Sequence, residues 1–199
     1  AGKESKVYVA TAPDSSLRVL KIYLTVSAEF KKRMQYIAGD PRFSDIKRGS
    51  RSLMTAWARK EFKNLQAARA AGARVPAPLA VRKNVLVMEF IGDSEGAPAP
   101  SLVELEEVTP DDYMQVIEQI SILYQKARLV HADLSEYNIF KTDKGIVLFD
   151  FGSAVDVRHP NSKQFLVRDV MNVNRFFEKH GIEVIDVAAA LEKIKGESK

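Results

Sequence analysis

The sequence predicts an α+β protein of two lobes: a small antiparallel sheet carrying one main helix, then a reduced helical lobe. Three observations carry this expectation. Short β-branched and aromatic runs, separated by turn residues, recur through positions 1–91. A tract rich in Gly, Ser, Pro and acidic residues occupies 92–100 and reads as a hinge. Helical periodicity then dominates 101–199, interrupted by two short loops dense in polar groups.

The elements follow in order. Two β-rich runs, at 6–10 and 18–23, flank Thr-Ala-Pro-Asp-Ser-Ser and are expected to form a hairpin. Ala56, Glu61, Leu65 and Ala68 mark a helix expected over 53–71, stopped by Gly72. A second strand pair is expected at 79–81 and 85–90, turning at Lys83-Asn84. Thr109-Pro110-Asp111-Asp112 is a helix start, with a threonine cap, proline at the first position and two acids at the positive dipole end. Val116, Ile117, Ile120, Leu123 and Tyr124 form its apolar stripe. Short strands are expected at 139–141 and 146–149, and two last helices at 162–180 and 184–194.

The 199 residues, 46% hydrophobic and 28% charged, suffice for a sizeable core. No apolar run approaches the roughly 20 residues that span a bilayer, so no membrane is expected, and no signal-peptide pattern is present. Cysteine is absent, which excludes a disulfide framework and a thiolate metal site and makes a cytoplasmic setting the default. The net charge of +4 is uneven: ten basic residues stand against three acidic ones between Lys31 and Lys63. Such a segment suits phosphate backbone or a solvated surface.

The chemistry concentrates in two segments. Residues 131–138 read His-Ala-Asp-Leu-Ser-Glu-Tyr-Asn, and 150–152 read Asp-Phe-Gly. One carboxylate, Asp133, suits the orientation of an attacking hydroxyl. The amide oxygen of Asn138 and the carboxylate of Asp150 suit magnesium, which takes few protein oxygens and keeps places for water and phosphates. Leu134 and Tyr137 are expected to anchor the loop in the core. His131 is expected to brace it rather than to act as a base. Lys21, set between apolar neighbours in Val-Leu-Lys-Ile-Tyr, needs an anionic partner if it points inward. Glu61 on the following helix is one candidate, and nucleotide phosphates are another.

These residues resemble the RIO family of atypical serine protein kinases, in its Rio-one branch and in a compact form typical of archaeal members. Ala132 stands where ordinary protein kinases carry arginine, and Ser135 where they carry a catalytic-loop lysine. The glycine-poor opening Gly-Lys-Glu-Ser-Lys-Val-Tyr fits the same branch. So do His159-Pro160-Asn161-Ser162, Phe165-Leu166-Val167-Arg168-Asp169 and the run Asn172-Val173-Asn174-Arg175-Phe176-Phe177. The resemblance covers essentially the whole chain and suggests a preceding segment in the natural protein. No Ala-Pro-Glu anchor follows Asp150, so extended peptide substrates are not expected.

The resemblance implies a bilobal protein-kinase-like fold and a kinase that uses ATP and Mg2+, with Mn2+ able to substitute. It implies phosphorylation of serine or threonine, including the chain's own, together with ATP hydrolysis. A precursor of the small ribosomal subunit is the implied partner, and no oligomeric state follows. By position, Asp133 is the catalytic base, Asn138 and Asp150 hold metal, and Lys21 meets the phosphates while pairing with Glu61. Met88, Glu89 and Ile91 lie in the segment that takes adenine through backbone groups, and Ser5, Lys6 and Val7 cover the nucleotide. Asp150 is also an implied phosphate acceptor. The basic stretch at 31–51 matches a family-specific loop whose Ser44, Ser50 and Ser52 are candidate autophosphorylation sites. Two alternatives share parts of the pattern: a small-molecule phosphotransferase of the aminoglycoside type, and an assembly factor that uses nucleotide as a switch.

Overall fold

A computed structural model describes residues 5–24, 36 and 50–196, with side chains from 53 onward in the first helix. The side chains of Ser44, Ser50 and Ser52 and of the basic stretch lie outside the described residues.

Strands β1 (Ser5–Thr11), β2 (Leu17–Tyr23), β3 (Pro78–Arg82) and β4 (Val85–Glu89) form one antiparallel sheet in the order β1-β2-β4-β3. The register sets Lys21 opposite Val7 on one side and Leu86 on the other. Directly opposed residues share a face of the sheet. Lys83, at φ 54°, makes the tight β3–β4 turn, and Asn84 caps the second strand by donating to the Tyr23 carbonyl at 2.7 Å.

Helix α1 (Ser50–Ala70) crosses the sheet. It buries Met54, Trp57, Ala58, Leu65 and Ala68 at helical spacing. Lys60, Glu61 and Asn64 are buried on the same helix, where charged and amide side chains need partners. Gly72, at φ 88°, ends it where a left-handed residue is needed.

The expected hinge at 92–100 closes into a compact turn. The Asp93 carboxylate accepts from the amides of Glu95 and Ala97 at 2.9 Å each, and Ala99 N–H donates to the Ile91 carbonyl at 3.0 Å. Helix α2 (Pro110–Ile122) starts at the expected threonine. Thr109 Oγ1 accepts from Asp112 N at 3.2 Å, and Asp112 Oδ2 accepts from Thr109 N at 2.8 Å, a reciprocal cap. A π-helical turn at Leu123–Ala127 continues it. Arg128, at φ 57°, then turns the chain out of the helix.

The pair β6 (Ile139–Thr142) and β7 (Gly145–Leu148) forms as expected. A second pair, β5 (Leu129–Val130) with β8 (Val155–Asp156), has only two residues per strand. These two strands bracket the polar loops and bring their ends together. Helices α3 (Ser162–Lys179) and α4 (Val187–Lys195) complete the fold. Their buried Phe165, Leu166, Val170, Val173, Phe177, Ala190 and Ile194 pack with Val116, Ile117 and Leu123 into one core.

One expectation fails. Leu134 is fully buried, but Tyr137 is 62% exposed. A single 3-10 turn at Glu136–Asn138 carries Tyr137 outward while Ile139 returns to the core.

Candidate active site

Lys21 points inward and is buried. Its Nζ donates to Glu61 Oε1 at 3.0 Å and to Asp150 Oδ1 at 2.8 Å. One ammonium therefore joins strand β2, helix α1 and the loop after β7. The Tyr23 hydroxyl donates to the second oxygen of Glu61. Burial pushes the Lys21 ammonium toward its neutral form, but the negative charges of Asp150 and Glu61 outweigh it and hold Lys21 above the usual lysine range. Burial pushes Glu61 up, and the Lys21 charge opposes that shift.

Asp150 ends the apolar run of β7 at φ 61°, in the left-handed region. Its neighbours Phe151 and Gly152 are buried, and the helix holds their backbone. Lys60 Nζ donates to the Gly152 carbonyl at 2.9 Å and to the Ala154 carbonyl at 2.5 Å. Asn64 Nδ2 donates to the carbonyls of Phe151 and Ala154 at 2.9 Å each. A Cβ at Gly152 would lie 2.9 Å from Trp57 Nε1, so the residue is small because the helix is close.

The loop at 131–138 is built in a parallel way. Ala132 sits at φ 64°, and Asp169 on α3 accepts from Ala132 N at 2.7 Å and from Leu134 N at 3.0 Å. Arg168 donates to the Ala132 carbonyl, and Asn172 Nδ2 donates to the Leu134 carbonyl at 3.1 Å. Between the two buried residues Ala132 and Leu134, Asp133 is exposed to solvent. Asn138 Nδ2 donates to the Asp133 carbonyl at 2.8 Å, which fixes the amide. Burial pushes the Asp169 carboxyl up to about 7 against the two amide hydrogen bonds.

His131 joins the two loops. It is buried, contacts the Phe149 carbonyl through Nε2 at 2.9 Å and packs edge-on against Phe151, with ring centroids 4.8 Å apart. Burial lowers its pKa although Asp133 and Asp150 lie near enough to pull it up. A neutral, buried imidazole whose Nε2–H donates to the Phe149 carbonyl braces the loop.

The remaining expected residues lie on β1, at the end of β4 and just after it. Val7 lies opposite Lys21 on the same sheet face and is half exposed, and Ser5 shares that face two residues away. Lys6 belongs to the other face. Met88 pairs with Val19 at the end of β4. Glu89 N–H donates to the Ala77 carbonyl at 2.8 Å, and its carboxylate accepts from Ala77 N at 2.9 Å. The Ile91 carbonyl is held by Ala99. The fold thus brings Lys21, Glu61 and Asp150 into direct contact and sets Asn138 on Asp133, with Met88 and Glu89 in the last two positions of β4 and Ile91 just past it.

Among the described residues no group of three His, Cys, Asp or Glu side chains converges as a metal cage. The donor chemistry that exists still suits magnesium. With its amide nitrogen on Asp133, Asn138 has its oxygen available as a hard donor, and Asp150 supplies a part-exposed carboxylate. Two oxygen donors are what Mg2+ takes when phosphates and water complete its shell.

Sequence reasoning missed Lys60, Asn64, Tyr23 and Asp169 as supports of the site. A signal was present: Trp57, Lys60, Glu61 and Asn64 recur at three- and four-residue spacing, so charged groups fall on the buried stripe. Asp169 likewise lies among Phe165, Leu166, Val173 and Phe177.

The family model for the RIO domain matches residues 6–190. Among curated relatives, the RIO-type serine/threonine-protein kinase Rio1 of Haloferax volcanii is 41% identical over 182 residues, which cover 92% of this chain and 62% of that protein. Rio1 of Thermoplasma acidophilum is 42% identical over 164 residues, covering 82% and 86%. Human serine/threonine-protein kinase RIO1 is 40% identical over 196 residues, covering 96% of this chain but 34% of its own length. The chain therefore spans between about a third and most of the length of these relatives. Among solved structures, the Rio2 kinase of Chaetomium thermophilum aligns with a TM-score of 0.74 at 25% identity, over 98% of this chain and 60% of that one. A Rio2 kinase–ADP/Mg2+–phosphoaspartate complex from the same organism aligns with a TM-score of 0.73 at 24% identity, covering 98% and 59%, and shows the shared fold. The fold is a bilobal protein-kinase-like one, with an antiparallel-sheet lobe and few helices. No helix among the described residues is long and apolar enough to cross a membrane.

Proposed function

The chain belongs to the RIO family, and from that premise we propose that it is an ATP-dependent serine/threonine protein kinase that uses the cleft around Lys21. The observation that carries this reading is the buried Lys21 ammonium held between Glu61 and Asp150. Such a lysine, oriented by a helix glutamate, positions nucleotide phosphates.

In this reading the Glu89 carbonyl and the Ile91 N–H take the adenine, beside Met88. Val7 and Ser5 cover the nucleotide from β1, and the backbone of Lys6 runs with them. Lys21 holds the phosphates. Asn138 and Asp150 hold Mg2+, which neutralises charge on the phosphates when bound. Asp133 orients the substrate hydroxyl and accepts its proton as the new oxygen–phosphorus bond forms and the bond to ADP breaks. Catalysis here is largely positioning, which explains why so many buried bonds fix the two loops.

The same protein would hydrolyse ATP, act on a small ribosomal subunit precursor in the cytoplasm and accept Mn2+ in place of Mg2+. The basic segment between Lys31 and Lys63 supports a phosphate-rich partner. Asp150 would also serve as phosphate acceptor: its carboxylate attacks the γ-phosphorus, ADP leaves, and water later hydrolyses the acyl phosphate.

Labelling with γ-phosphate-tagged ATP tests the reading. Mg2+-dependent label in acid-stable phosphoserine is expected, with a second, hydroxylamine-labile fraction that disappears in Asp150→Asn. Absence of both kinds of label, with nucleotide bound, would overturn it.

A further inference from the structure

We propose that Lys60 and Asn64 act as a carbonyl clamp on the Asp150 loop, positioning residues for Mg2+ binding that touch neither metal nor nucleotide. The proposal rests on the preceding assignment of Asp150 as a metal ligand.

The geometry makes the case. Lys60 and Asn64 are one helical turn apart on α1, and both are fully buried. Together they donate four hydrogen bonds to three consecutive-region carbonyls, those of Phe151, Gly152 and Ala154. The first of these carbonyls belongs to the residue directly after Asp150. Lys60 Nζ also lies 5.6 Å from the Trp57 ring, on the same helix. Ordinary packing is served better by an apolar residue, because a buried ammonium is costly unless its donors are satisfied. Here they are spent on a loop that contains no regular structure and whose leading residue sits at φ 61°. A left-handed non-glycine residue is strained and persists only when its surroundings fix it.

Glu61 is adjacent to Lys60 and reaches the same loop by another route. Lys21 links its carboxylate to Asp150 itself. Helix α1 thus holds the side chain of Asp150 through Lys21 and Glu61, and the backbone behind it through Lys60 and Asn64. Releasing the backbone would leave Asp150 attached to Lys21 but free to turn its carboxylate away from the direction that pairs with Asn138. Partners that orient a ligating group typically change metal affinity by about 10–100-fold when lost.

The test is calorimetric and needs no turnover. ADP affinity is measured with and without Mg2+ for the parent, Lys60→Met, Lys60→Arg, Asn64→Ala and Asp150→Asn. In the parent, Mg2+ should tighten ADP, and Asp150→Asn should abolish that gain. Lys60→Met and Asn64→Ala should each reduce the gain by about tenfold while leaving metal-free ADP affinity within about twofold. Lys60→Arg, which keeps charge and donors, should recover most of it. A full Mg2+ gain in both Lys60→Met and Asn64→Ala overturns the clamp. If the parent shows no Mg2+ gain, or Asp150→Asn keeps it, the metal-ligand assignment has failed instead. Asn64→Ala keeps the proposal testable should Lys60→Met not fold, since a small polar-to-alanine change leaves the charge in place.

Discussion

The loop around Ala132–Leu134 and the loop around Asp150–Ala154 share a backbone device. Each has one non-glycine residue in the left-handed region, Ala132 at φ 64° and Asp150 at φ 61°. A helix holds each from behind, with opposite chemistry. On α3 a carboxylate, Asp169, accepts from two N–H groups. On α1 an ammonium and an amide, Lys60 and Asn64, donate to carbonyls. The reactive side chains differ in the same sense. Asp133 is exposed to solvent between two buried neighbours, whereas Asp150 is tied directly to Lys21. In the proposed function, the group that accepts the proton is thus left reachable by a substrate hydroxyl, and the group that holds metal is fixed before metal arrives.

Removing the shared cation should break the metal side most severely. Lys21→Met leaves Glu61 buried without its ion pair, a loss of about 3–5 kcal/mol in stability by chemical denaturation. Adding Glu61→Gln should restore much of it without restoring phosphoryl transfer. A single variant as stable as the parent would mean that the pair is not the link between sheet and helix.

The loop at 131–138 should respond with a different signature. Asp169→Ala strands the N–H groups of Ala132 and Leu134, each worth about 1–3 kcal/mol. Asp169→Asn retains an acceptor oxygen and should cost less. The two differ further with pH. Burial raises Asp169 to about 7 from an ordinary carboxyl value, so the folded state binds the proton more tightly than the unfolded one. Its contribution is therefore complete at acid pH and is lost as pH rises toward 7. Parent stability relative to Asp169→Asn should fall between about pH 4 and pH 7 and level off above it. A flat difference across that window would place the ionised carboxylate fully at ease in the core.

Tyr137 marks the smallest expected effect. It lies on the catalytic loop but 62% exposed, so Tyr137→Ser should change stability by no more than about 0.5 kcal/mol. A loss above 2 kcal/mol would restore it to the core role its apolar character suggested.

The contrast between the loops also explains what the sequence could and could not reveal. Elements with their own local signals were legible: the Thr109 cap, the Gly72 stop and the strand pair around Thr142–Gly145 lie within a residue or two of expectation. The β5–β8 pair was not, because two residues per strand carry no alternation. The chemistry-bearing residues were legible as types and spacings. Their supports were hidden because Lys60 and Asn64 meet the Asp150 loop across more than eighty positions, at separations of 92 and 87 for the first contact of each. Tyr137 was misread because a 3-10 turn, unlike a strand or helix, gives an apolar residue no fixed face.

Single-turnover transfer from ATP by Asp133→Asn, with nucleotide affinity measured alongside, decides whether Asp133 orients the hydroxyl. The transfer rate should fall by about 10²–10⁴-fold with ATP and ADP affinities unchanged, because a group acting on the hydroxyl leaves nucleotide binding intact. A variant that transfers phosphate within about threefold of the parent would contradict it.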